Sequence, residues 1–360
     1  MTIWNRFNAG LGLCLALTQV HAQTTGPATP VVAFPVYNAA HAMQGLHRHT
    51  LLPRAQAFAQ AATALTAQTV AYCGGSAALP ALRLQWQGTL QAWEALSSVA
   101  TGAVLERRSQ RQIDFWPVRP ALVERAIARA PQGEDAMQLV GTPAKGLPAL
   151  EWLLWTRPAA PATPACAFAQ EVAKDVEREA QALVQAEARI AAQDWDEDAE
   201  ASGKGMAEWI NQWLGGLEQL RWAQMEKPLK AAPANERPAY ARLASGSDAA
   251  SWQTQWKALR EQAGVTPAQR RAPPQPGQAL VPIEAILMGK GEISLAARWS
   301  AALAQADAAM ASADPTRADP TRAASVLNAA TALKSLNLLF QNEVASSLDI
   351  PLGFSNADGD

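Results

Sequence analysis

Apolar positions recur at spacings of three and four over long stretches of the chain, and alternation at two is scarce, so the pattern predicts helices rather than sheet. The clearest stripe, Leu82, Trp86, Leu90, Trp93 and Leu96, falls in a helix expected from about 78 to 104. Similar periodicity predicts helices over about 36–72, 120–129, 146–156, 166–193, 203–226, 252–262, 291–311 and 322–346. Pro53 is expected to bend or restart the first of these, and Cys73-Gly74-Gly75-Ser76 to stop it. Arg111 to Pro120 reads as a Pro-punctuated connection, Asp194 to Glu200 as an acidic turn, and 264–282 as a Pro/Gln/Arg-rich linker. Asp314-Pro315-Thr316-Arg317-Ala318 recurs as Asp319-Pro320-Thr321-Arg322-Ala323; the second copy offers an Asp N-cap and a Pro at N1 for the last helix. Long helices with short connections, and no Gly-rich strand-to-helix turn, predict an all-α protein of two helical bundles side by side, 36–160 and 161–360.

The opening segment stands apart from this pattern. Arg6, the apolar run Ala9–Leu17 and Val20-His21-Ala22 have the layout of a cleavable secretory signal over residues 1–22, and the run is shorter than the ~20 residues a membrane span needs. Leu13 before Cys14 argues against a lipid attachment site. Residues 23–35, rich in Pro and Thr, read as a tether, and no later stretch is expected to cross a membrane. Export implies the periplasm or cell envelope, an oxidising setting in which Cys73 and Cys166 can pair; spacing alone leaves the bond open.

Composition removes several functions without supplying one. The 360 residues carry 30 Lys+Arg and 32 Asp+Glu, so there is no basic footprint for nucleic acid. Three cysteines without CxxC pairs do not make a disulfide scaffold or a zinc module. Thirteen Trp against three Tyr and seven Phe is unusual, and suits wide helix packing with one donor per indole. There is no GxSxG, P-loop, HExxH or GxGxxG, so nucleophilic and zinc-hydrolase schemes lack their parts.

Chemistry is concentrated in Lys145 to Trp155, KGLPALEWLLW. Gly146 supplies a turn, Pro148 fits a first helical turn, and Glu151 sits among Leu150, Leu153 and Leu154, where an ionised carboxylate needs a cation or donor. Arg119 and Arg242 are the candidate cations, and Lys145, Gly146, Glu151 and Trp116 the other candidate ligand contacts. Trp116, in Asp114-Phe115-Trp116-Pro117, is expected to wedge between helices. His41, His47 and His49 are spaced by six and two, which does not align them on one helical face; they read as solvent-facing or satisfied helix residues. The tail Asn356-Ala357-Asp358-Gly359-Asp360 offers oxygens of the kind hard cations accept, so Glu151, Asp358 and Asp360 are the candidate metal ligands, with Glu343 and Asp349 as further donors.

KGLPALEWLL, the helix with Ala92-Trp93-Glu94, IDFWP over 113–117, NQWLGGLEQLRWAQMEKPL over 211–229 and the tail LGFSNADGD together resemble the imelysin family of bacterial envelope proteins, over nearly all of the mature chain. The resemblance implies two helical-bundle domains with a site between them and an association with iron or another divalent or trivalent metal. Peptidase-like members carry G-x-H-x-x-E there. This chain keeps Gly146 and Glu151 but has Pro148 in the His position, and proline has no side-chain lone pair. The expectation is therefore a non-catalytic binding protein for a metal ion or chelate. The alternatives are a module docking on an envelope protein partner and a divergent metallopeptidase.

Overall fold

The computed structural model describes residues 32–233, 236–316 and 320–353. The expected signal, residues 23–31 of the tether and the tail carboxylates Asp358 and Asp360 lie outside them. From Ala33 onward the described residues form one compact unit.

Every element among the described residues is helical: α1 (Ala39–Leu46), a π turn (His47–Leu51), α2 (Leu52–Cys73), α3 (Leu79–Ser97), α4 (Ala103–Glu106), α5 (Ser109–Ile113), α6 (Pro120–Arg129), α7 (Gly133–Gln138) and α8 (Gly146–Glu151) with its π turn (Trp152–Thr156). Then come α9 (Pro164–Ala191), α10 (Ala199–Glu218) with a π turn (Gln219–Glu226), α11 (Lys227–Ala231), α12 (Asp248–Ala263), α13 (Pro267–Arg271) and α14 (Ile283–Gly289). The chain closes with α15 (Ile293–Ser312) and α16 (Pro320–Leu339), the latter continued by a π turn (Phe340–Val344) and α17 (Ala345–Ser347). Helix starts follow local chemistry. Asn38 accepts from the His41 amide while His41 accepts back, Thr163 accepts from the Cys166 amide ahead of Pro164, and Asp198 accepts from the Glu200 and Ala201 amides. Pro53 comes just after the π turn, inside a helical stretch that runs without a break from α1 through α2, so it restarts the α-helical pattern rather than the chain direction.

Two bundles pack side by side. α2 lies along α3 and α9, with α8 also against α9; α15 pairs with α16, while α1 packs on α10 and α12 bridges to α3. α9 buries its apolar stripe Phe168, Val172, Val176 and Leu183 and packs along α2 and α8. Cys73 and Cys166 are joined by a disulfide, with 5.6 Å between Cα atoms, tying the end of α2 to the start of α9. The indoles account for the Trp-rich composition. Trp86, Trp213 and Trp299 are buried and donate to the carbonyls of Leu147, Leu259 and Ala263 at 2.9–3.0 Å, and Trp209 donates to Gln262 Oε1 at 2.6 Å.

Three expectations need correction. The helix expected to reach 104 ends at Ser97, and a turn at 98–102 with Gly102 at φ 56° intervenes before α4. The stretch expected as linker after 264 contains α13, opened by a Thr266–Gln269 capping box. Ala323–Ser347 does have the length and apolarity of a membrane span, at mean hydropathy 1.2. Alanines raise that value, and the row Val326, Leu333, Leu336, Phe340 and Val344 is buried in the second bundle as a core face.

Candidate binding cleft

Gly146 begins the geometry of the site. It holds φ 76°, and a Cβ there would lie 2.4 Å from the Ile113 carbonyl oxygen, so only glycine lets α8 start against the end of α5. That contact brings Asp114, just past α5, toward Glu151 at the end of α8. From the other side the loop before α12 inserts Arg242, which is buried.

Acidic side chains converge on this arginine. Its Nη2 donates to both oxygens of Asp114, at 2.5 and 2.6 Å. Nη1 lies 3.8 Å from Glu151 Oε2 and Nε 3.9 Å from Glu94 Oε1. The backbone amide of Arg242 donates to Asp248 Oδ1 at 2.7 Å, that of Ser245 to Glu151 Oε1 at 3.0 Å, and Ser251 Oγ donates to Glu94 Oε1 at 2.5 Å. Arg242 Nη1 and Glu94 Oε2 are buried without a hydrogen-bond partner among the described residues.

Electrostatics follow from this crowding. Burial pushes Glu94 up to about 8, against the pull of Arg242 and the Ser251 hydrogen bond. Burial likewise raises Glu151, opposed by Arg242 and Ser245. Asp248 is lifted to about 6, chiefly by desolvation and despite the Arg242 amide. The surrounding carboxylates hold Arg242 firmly protonated, outweighing its own desolvation.

One edge of the cluster opens to a cleft of about 280 Å³ between α8 with its π turn and the loop before α12. Its walls include Trp116, Pro148, Trp152, Tyr240 and Leu243, with Glu151 as the carboxylate among them. Trp116, expected as a wedge, is 47% exposed instead and stands in this wall. It is joined to Pro117 by a cis peptide bond.

Of the sequence candidates, Gly146, Glu151, Trp116 and Arg242 thus meet here. Lys145 does not: its Nζ pairs with Asp175 on α9 at 2.9 Å. Arg119 is exposed at the start of α6, its amide donating to the Pro143 carbonyl, and the guanidinium that meets Glu151 is that of Arg242. The further oxygen donors are engaged elsewhere, Asp349 with Lys290 at 2.7 Å and Glu343 with Arg298 at 2.6 Å. Glu94, Asp114, Asp248, Ser245 and Ser251 were not candidates. For Glu94 a signal exists: four residues after Leu90, it places a charge on the apolar stripe of α3.

A metal ion fits this arrangement poorly. No group of three or more His, Cys, Asp or Glu side chains placed to hold a metal is present among the described residues. A bare cation on Glu151 would sit against the Arg242 guanidinium, which already occupies the centre of the carboxylates.

Fold and site together define a two-bundle helical protein with a charged cluster at the floor of a cleft. The chain belongs to the Imelysin family, whose profile matches residues 51–339. It is similar in structure to an imelysin-like protein from Psychrobacter arcticum 273-4, with a TM-score of 0.70 and 20% identity, covering 90% of this chain and 100% of that one. It is also similar to a protein of Parabacteroides distasonis ATCC 8503 described as a putative iron-regulated protein A precursor, with a TM-score of 0.61 and 14% identity, covering 86% and 98%. No curated protein matches the chain in sequence.

Proposed function

We propose that this is an exported, non-catalytic binding protein of the cell envelope that holds a small ligand in the cleft over Glu151, in the setting of iron or other metal acquisition. The observation that carries the reading is the pair Pro148 and Glu151 in one cleft wall. Peptidase chemistry at this place calls for an imidazole beside the carboxylate, and the proline ring offers no lone pair and no proton. What remains is a carboxylate edge, aromatic walls and a volume near the low end for small-molecule sites, ~300 Å³. Iron enters as physiological setting, since a structural relative is described as iron-regulated. The cargo is not a bare ion on Glu151, because Arg242 already pairs with that carboxylate.

Protein purified natively from the periplasm tests this. The mature chain is expected to begin at Gln23, and mass spectrometry of the denatured wild type to release a small molecule that Glu151→Ala protein lacks. Unfolded protein substrates are expected to stay intact. Chelator-sensitive cleavage that Glu151→Ala abolishes would overturn the non-catalytic reading.

A further inference from the structure

One wall of the cleft, made by Ala241, Leu243 and Ala244, belongs to the loop before α12. We propose that residues 241–246 are a pH-gated wall: Arg242 holds them down while the carboxyl cluster beneath keeps a proton, and they lift, widening the cleft, as that proton passes to solvent. The use of such a gate rests on the binding reading above, whereas its motion does not.

The loop is fixed at its ends and lightly held between them. At one end Tyr240 is buried edge-on against Trp252, with 5.0 Å between ring centroids, and at the other Ser247 Oγ accepts from Gln87 Nε2 at 3.2 Å. Between these ends Arg242 alone is buried, so the segment has little apolar surface to keep it in place. Its hydrogen bonds and ion pairs to other elements, among the described residues, all end on carboxyl groups. The Arg242 guanidinium reaches Asp114 after α5, Glu151 of α8 and Glu94 of α3. Its amide reaches Asp248 of α12, and the Ser245 amide reaches Glu151. A segment anchored on acids is sensitive to whether those acids carry protons.

Glu94 sets the direction. Its Oε1 accepts from Ser251, but Oε2 is buried without a partner among the described residues. Arg242 Nε stands 3.9 Å from Oε1, because two hydrogen bonds commit the guanidinium to Asp114. An ionised carboxylate with an unpartnered oxygen in the interior is costly, so the packed loop favours the neutral acid. Burial accordingly pushes Glu94 up to about 8 and Asp248 up to about 6. Once Glu94 ionises, Arg242 cannot serve it without leaving Asp114, and water supplies the missing donors when the loop rises. The other charged groups keep the same sign. Burial raises Glu151 as well, Arg242 stays protonated, Arg237 is exposed and acts on Asp248, and burial holds Tyr240 neutral with its hydroxyl at about 12.

Hydrogen exchange followed by mass spectrometry on the full mature protein at pH 6, 7.5 and 9, corrected for the intrinsic rate of amide exchange, reads this motion. Protection of peptides covering 241–246 is expected to fall about 10-fold or more from pH 6 to pH 9, the weight of one pKa unit coupled to opening, while peptides of α9 keep theirs. Glu94→Gln preserves the shape of the neutral acid and is expected to retain protection at pH 9. Protection over 241–246 that stays constant across the range overturns the gate. So does a loss shared equally by α9, which is loosening of the whole fold, or a loss in Glu94→Gln equal to that of the wild type. If Glu94→Gln does not fold, the contrast between the 241–246 and α9 peptides of the wild type decides alone. No ligand enters this readout. A small molecule released from native protein together with pH-invariant protection overturns the gate and leaves the binding reading; a pH-dependent loop in protein that releases no molecule does the reverse.

Discussion

Two of the places where the chain buries an acid beside a basic nitrogen are built differently. At the π turn between α1 and α2, His47 Nδ1 meets Glu187 Oε1 of α9 at 2.6 Å, and the imidazole stacks on Trp195 with 5.3 Å between ring centroids. Gly102 closes over this pair: a Cβ there would come within 2.8 Å of His47 Cε1 and 3.3 Å of Glu187 Oε2. Each acid has its base, and backbone covers both. At Arg242 several acids share one guanidinium, polar atoms remain without partners, and one edge opens to a cleft. A His–Glu pair therefore exists in this protein, away from the position the family motif would give it. The first pair is sealed, although the Trp195 indole nitrogen beside it is buried without a partner among the described residues; the second lies beside an opening.

The contrast is sharpened by removing each centre in turn. Arg242→Met is expected to have the largest effect, destabilising the fold by about 3–5 kcal/mol in denaturant melts, since it strands carboxylates in the interior. Gly146→Ala comes next, about 2–4 kcal/mol, from positive-φ strain together with a backbone collision at Ile113. Glu187→Gln keeps the shape of the sealed pair and is expected to cost about 1–3 kcal/mol in the same melts. A Glu187→Gln melt indistinguishable from that of the wild type would erase the distinction between the sealed pair and the open cluster.

A pH dependence arising in the open cluster separates the two sites further. Glu94 stands at about 8 in the folded chain against an ordinary value of 4.5. Between those values the folded protein retains a proton that the unfolded chain has released, so stability falls as pH rises through the window. Asp248, at about 6 against 3.8, acts in the same direction lower down. The melting temperature is expected to decline from pH 5 to pH 9, and Glu94→Gln to flatten the part above pH 6. A wild-type profile that rises over that range would contradict a protonated Glu94.

Helices were legible in the sequence because their signals are local: stripes at three and four, Asn38, Thr163 and Asp198 as caps, Gly146 and Pro148 opening α8. The burial of Glu151 was legible for the same reason, as an acid in an apolar helical face. Its partner was harder to identify. Arg119 and Arg242 were equal candidates by composition, and the choice between them depends on how the loop before α12 folds back across the first bundle. Asp114 meets Arg242 across 128 positions of sequence, and no spacing encodes such a meeting.

The Cys73–Cys166 bond spans 93 positions and joins two helices that already lie together. A cross-link over so long a loop restricts mainly the disordered chain, which in the chain-entropy account favours the native state by about 4–5 kcal/mol. Until that bridge closes, the first bundle forgoes this advantage, and a chain exported as proposed is correspondingly easier to thread through a translocation channel. Oxidation on the far side then acts as a latch, making the fold harder to undo after transit than before it.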